Sequence, residues 1–290
     1  MKKKNVVAVV AVICLLVSQT SFGDLLYQFD CTAGVTSSGG LVDSWANQGT
    51  SGGSAVNTGD ARPELSSQLM PGGNTMNVLS FGGVNDYLDI AASSSLDSTS
   101  LTWFAVYKAN STPASDQYIL RSAYEAGASS NADAMWGTWL NSTGNIKSHG
   151  RDAAGVLKER FQAVSPSKWY IVIGTWDLGT DKVCQWVVKE DGTIVYSGAQ
   201  KTGATATPTG NILTRIGASS TDEASNFFDG YIAALRIYNV GMVLNTAGSS
   251  DLIAREAIAN ELYNAYFVVP EPATLMILGI GAGLVLRRKK

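Results

Sequence analysis

Short runs of β-branched and aromatic residues, each cut off after a few positions by Gly, Ser, Thr, Asn or Asp, recur from residue 25 to residue 238. No long stretch in this interval sustains helical spacing. A chain punctuated this way forms many short strands joined by turns, so it closes as a sandwich or jelly roll and not as a bundle or a doubly wound sheet. The strongest strand signals are residues 101–107, 169–176, 183–188 and 227–238, with weaker ones at 25–29, 78–81, 87–90, 135–140, 145–148 and 212–216. Asp191-Gly192 reads as a hairpin turn, and Ser142, Thr143 and Gly144 turn the chain between two strands. The region 32–73, with its three Gly-Gly pairs, is expected to hold little regular structure, and 122–134 reads as a loop. Helical spacing appears only near the end, where Ala254, Ile258, Leu262, Ala265 and Tyr266 follow the capping residues Ser249 and Ser250.

The two ends have a different composition. Lys2, Lys3 and Lys4 precede an apolar run over residues 6–17, and small residues at Ser21 and Gly23 fit signal-peptidase cleavage between Gly23 and Asp24. Twelve apolar residues rise only ~18 Å, against a hydrocarbon core of ~30 Å, so the run reads as a removable signal and not as a span. At the far end Pro270, Glu271 and Pro272 introduce a glycine-rich apolar run over 273–286 that closes on Arg287, Arg288, Lys289 and Lys290. The basic terminus favours the cytoplasmic side, which leaves the preceding region outside. This end resembles the PEP-CTERM sorting signal in motif, order and position. The resemblance implies processing near Pro270–Pro272 by an exosortase-type enzyme after a membrane-bound intermediate. The expected division is therefore a signal peptide over 1–23, a jelly-roll domain over 24–267 and a sorting signal with a short transmembrane helix over 268–290.

Without the terminal basic runs, 14 basic face 23 acidic side chains, a charge near −9. Nucleic acid and anionic lipid are held by clustered Lys and Arg, so neither is expected as a partner. Once Cys14 leaves with the signal, Cys31 and Cys184 remain, an even pair that an oxidising compartment could bridge. With one histidine, His149, and no Cys-x-x-Cys, no zinc ligand set exists. His149 reads as a surface residue.

Four segments in fixed order give the interior its likeness: Ser44 to Gln48; Arg62-Pro63 leading to Phe81 to Leu88; Lys168-Trp169-Tyr170; and Ile216-Gly217 leading to Phe228 to Tyr238. Together they resemble the laminin-G-like, concanavalin A-like jelly roll, including its C-terminal amphipathic helix. The resemblance implies an all-β two-sheet sandwich and a surface that binds glycan or another envelope component. It also brings calcium into view, with Asn85, Asp86, Asp222 and Glu223 as loop oxygen ligands. The glucanases of this superfold carry Glu-x-Asp-x-x-Glu on one strand; that run is missing here, and Glu190-Asp191 and Asp222-Glu223 would point to opposite faces of a strand. The chain reads as a non-catalytic exported surface or matrix protein. A glycoside hydrolase or lyase with a dispersed site and a purely structural envelope protein are the alternatives. Trp136 and Trp139 are the expected sugar-stacking surface, whereas Trp45, Trp103, Trp169, Trp176 and Trp186 are expected in the core.

Overall fold

The computed structural model describes residues 23–57, 59–96, 98–123, 134–151, 157–201, 213–219 and 225–268. Its strands are, in order, β1 (Leu25–Asp30), β2 (Val35–Ser38), β3 (Leu41–Ala46), β4 (Ser54–Val56), β5 (Glu64–Leu69) and β6 (Thr75–Gly82). Next come β7 (Leu88–Ala91), β8 (Ser100–Ala109), β9 (Gln117–Ala123), β10 (Ala134–Leu140), β11 (Asn145–Arg151) and β12 (Leu157–Ala163). The series ends with β13 (Trp169–Asp177), β14 (Lys182–Lys189), β15 (Ile194–Lys201), β16 (Leu213–Ile216), β17 (Asp229–Tyr238) and the helix α1 (Ser250–Phe267).

All pairings are antiparallel and sort the strands into two layers. The first layer is built on β17, which pairs with β8 along one edge and with β6 and β1 along the other. It continues through β13, β14 and β15, while β5 extends it beyond β6. The second layer runs β2-β3-β4-β7-β16-β9-β10-β11-β12. One bridge, Leu41 to Glu64, ties the layers at their margin.

Period-two alternation decides where each side chain goes. On β8, Leu101, Trp103, Ala105 and Tyr107 enter the core between the sheets, and Phe104 and Val106 point the other way. The outward set of the first sheet is covered by α1, whose Ala254, Ile258, Ala259, Leu262 and Tyr266 pack on Phe104, Ile171, Ile173 and Trp186. Ser249 caps this helix by accepting the N–H of Leu252 at 3.3 Å. The first sheet is thus apolar on both faces, which explains its near-continuous hydrophobic strands. Gly174 and Gly150 open the inter-sheet core for indoles: a Cβ at Gly174 would lie 2.3 Å from the Trp103 ring, and one at Gly150 would lie 2.2 Å from Trp176.

The all-β sandwich with one C-terminal helix agrees with the sequence reading, and three local expectations need correction. Residues 32–73 hold β2 to β5; these strands are short and half polar, and Gly39-Gly40, both at positive φ, make the tight turn between β2 and β3. Cys31 and Cys184 are not bridged. Cys31 lies in the inter-sheet core and Cys184 in the layer under α1, on opposite faces of the first sheet, so no rotamer joins them. His149 is buried, not on the surface. No helix among the described residues is long and apolar enough to cross a membrane. The apolar segments 6–17 and 273–286 lie outside the described residues.

Candidate functional site: the outer face of the second sheet

The second sheet has no helix over its outer face among the described residues, and the register writes polar chemistry across it. One cross-strand row runs Asp89, Arg215, Arg121, Gly137, His149, Glu159, one residue from each of six adjacent strands. A parallel row runs Tyr118, Trp139, Lys147, Phe161. The neighbours in sequence, Ile90, Ile216, Leu120, Trp136 and Ile146, point into the inter-sheet core. Alternation therefore forces these polar and aromatic residues outward together.

At one end of the first row, Arg215 donates two bonds to Asp89, 2.6 Å and 3.0 Å long, and a third to the Ser219 carbonyl at 3.0 Å. Its guanidinium lies 4.1 Å above the Tyr87 ring. In the middle, Tyr118 stacks on Trp139 at 5.7 Å, Arg121 lies 5.1 Å from the Tyr118 centroid, and His149 meets Trp139 edge-on at 4.8 Å. At the other end, Lys147 donates to Glu159 at 2.7 Å and sits 5.4 Å from the Trp139 ring. Beside this ion pair Phe161 is 55% exposed. Asp116 completes the group electrostatically: burial holds its carboxyl above the usual range, with Lys147 pulling it down and Glu159 pushing it up.

The sequence-chosen residues fall differently. Trp136 is fully buried in the inter-sheet core, 5.2 Å from Trp103, and cannot meet a ligand. Trp139 faces outward but is only 4% exposed, so the two do not form an accessible platform. Both sit on β10 three positions apart, so alternation sends them to opposite faces. Asp86 accepts the Gly82 N–H at 2.5 Å and closes the turn after β6; burial raises its carboxyl, with that bond opposing. No group of three His, Cys, Asp or Glu side chains able to hold a metal ion occurs among the described residues. Asp222, Glu223, Pro270, Glu271, Pro272, Arg287 and Arg288 lie outside the described residues. Asp24 is held at the start of the fold: its N–H donates to Asn239 Oδ1 at 2.6 Å, and Asn239 Nδ2 donates back to its carboxylate at 3.0 Å. Sequence reasoning missed Phe161, Lys147 and Glu159. The alternation of residues 157–163, Leu-Lys-Glu-Arg-Phe-Gln-Ala, was the available signal.

Several solved structures share the architecture. A Trypanosoma rangeli sialidase in complex with a difluoro-KDN superimposes with a TM-score of 0.51 at 14% identity, over 83% of this chain and 33% of that one. The binding domain of botulinum neurotoxin serotype G gives 0.52 at 10% identity, over 82% and 51%. The chain thus spans a third to a half of the length of these structures, and at such identities the likeness is one of fold. No curated protein matches the sequence. Residues 268–289 match the PEP-CTERM protein-sorting motif, which implies an exported, envelope-associated protein processed by an exosortase-type sorting enzyme. Residues 81–245, more than half of the sequence, match the family of the jelly roll, and the chain belongs to the concanavalin A-like lectin/glucanases superfamily.

Proposed function

We propose that the protein is a non-catalytic component of the cell surface, outer envelope or extracellular matrix that binds polysaccharide through the outer face of the second sheet. In this reading export begins with cleavage between Gly23 and Asp24, and the tail is removed near Pro270–Pro272. The observation that carries the proposal is the exposed Phe161 ring set beside the Lys147–Glu159 ion pair. A phenyl face suits the apolar face of a pyranose, and an ammonium next to carboxylates supplies donors and acceptors for its hydroxyls. Sorting to the envelope would bring that face to glycans.

Retention on immobilised polysaccharides tests it: the protein should be held without releasing sugar, and Phe161→Ala should release it without loss of fold. A glycan array with no signal, with and without calcium, would contradict the proposal. One feature favours a second reading, a glycoside hydrolase or lyase: the raised carboxyl of Asp116 lies within the field of Glu159. Release of reducing ends that disappears in Asp116→Asn would establish that reading in place of the first.

A further inference from the structure

Arg255 projects from the second turn of α1 and is only 2% exposed. Its guanidinium lies 3.6 Å from the Trp186 ring centroid. Nη1 donates to the carbonyls of Met242 and Leu244 at 3.0 Å and 3.1 Å, and Nη2 donates to Asn245 Oδ1 at 2.8 Å. A guanidinium carries five N–H donors, so two have no acceptor among the described residues. No carboxylate is paired with it at ion-pair distance; Glu256 and Asp251 act on it only from further off. Burying a cation without a contacting counter-ion is costly, and three neutral oxygens with two more distant carboxylates offset only part of that cost.

Beside this guanidinium is a cavity of about 180 Å³ between α1 and strands β13 to β15. Ile173, Trp186, Ile194 and Tyr196 form its apolar wall, and the exposed Glu256 is the one carboxylate among its lining residues. Tyr196 stacks on Trp186 at 4.9 Å and remains 37% exposed, which leaves aromatic surface open to solvent. Arg160 and Lys182 add positive potential, since both act with Arg255 on the Cys184 thiol below. The Cys184 thiol itself is pushed up to about 11, chiefly by burial, and stays neutral near pH 7.

We propose that this cavity is a binding site for a small carboxylate ligand, its carboxylate seated on Arg255 and its carbon skeleton against the exposed Tyr196 and Ile194. One planar cation with two remaining donors matches a carboxylate in charge and in geometry. The carboxylate could belong to a sugar acid or to a free short acid, and the volume admits either. The site lies across the first sheet from the second-sheet face and does not depend on it, so either can fail alone.

Calorimetric titration of the full chain with glucuronate, acetate and glucose tests the assignment. Glucuronate is expected to bind with a Kd on the order of 1 mM. Glucose should give no heat of binding. Glucuronate binding more tightly than acetate identifies a sugar acid as the source; equal binding identifies a free short acid. Tyr196→Ala should weaken glucuronate by up to about tenfold. Arg255→Lys, which keeps the charge and loses the fork, should cost about tenfold or more. Because a change at Arg255 can disturb folding, the decisive variant is the surface change Glu256→Gln, which removes a like charge and should tighten both acids several-fold. The proposal is overturned if neither acid binds, if glucose binds as well as glucuronate, or if Glu256→Gln leaves acid affinity unchanged.

Discussion

The two sheets solve opposite problems. The first is apolar on both faces, one against the second sheet and the other under α1, and its strands β8, β13, β14 and β17 are buried along almost their whole length. The second is apolar only inside; its outer face carries Asp89, Arg215, Arg121, His149 and Glu159 in one cross-strand row and Tyr118, Trp139, Lys147 and Phe161 in the next. A sheet buried on both faces serves mainly as the scaffold and opens only at the cavity between α1 and strands β13 to β15. The outer face of the second sheet carries polar and aromatic chemistry, most of it buried (Arg121 1%, His149 1%, Trp139 4% exposed), and Phe161 is where it reaches solvent.

The difference should appear first as unequal sensitivity to truncation. Trp103→Ala removes an indole that fills the space left by Gly174 and donates to Thr138 at 2.6 Å, and it should cost about 3–5 kcal/mol in denaturant unfolding. Leu262→Ala, on the underside of α1, should cost about 2–3 kcal/mol, since a surface helix can settle partway into the space. If Leu262→Ala were neutral, the helix would not be covering the first sheet as described.

On the second sheet Asp89→Asn should cost about 1–2 kcal/mol, less than a fully buried pair, because the Asp89 side chain is about a quarter exposed while Arg215 is buried. A loss as large as that of Trp103→Ala would erase the contrast between the faces. The first sheet also sets an alkaline limit. In the unfolded chain the Cys184 thiol ionises near 9.0, whereas in the fold it keeps its proton until about 11. Between those values the unfolded state binds fewer protons, so stability falls as pH rises, by on the order of 1 kcal/mol per pH unit for this group. Urea titrations at a series of pH values should show a shallower fall in Cys184→Ala than in the parent. The smallest stability effect belongs to Phe161→Ala, within about 0.5 kcal/mol, because the ring is more than half exposed.

The same contrast decides how much could be read in advance. β8, β13, β14 and β17 announce themselves because burial on both faces demands unbroken Val, Ile, Trp and Phe. The helix was equally plain from its spacing and its serine cap. β2 to β5 and β12 were not legible: with one polar face and only three to seven residues each, they carry as many turn formers and charges as strand formers. The site shared that fate. Trp103, Trp176 and Trp186 lie in the core as their strand-like runs predict, whereas Trp136 is buried where a ligand surface is predicted: three positions apart on β10, Trp136 and Trp139 cannot share a face, and the sequence does not say which of them turns inward. Facing is set by cross-strand register and by the shift between β9 and β10, and both are tertiary facts. The cysteine pair failed for the same reason, since sequence separation carries no information about opposite sides of a sheet.

The proposed polysaccharide site on the outer face of the second sheet stands or falls with the exposed Phe161. The most direct measurement compares the parent protein and Phe161→Ala on the same immobilised polysaccharides, with melting curves recorded in parallel. The parent should be retained without sugar release, and Phe161→Ala should lose retention at an unchanged melting temperature. Equal retention of the two proteins, or no retention of either, would contradict it.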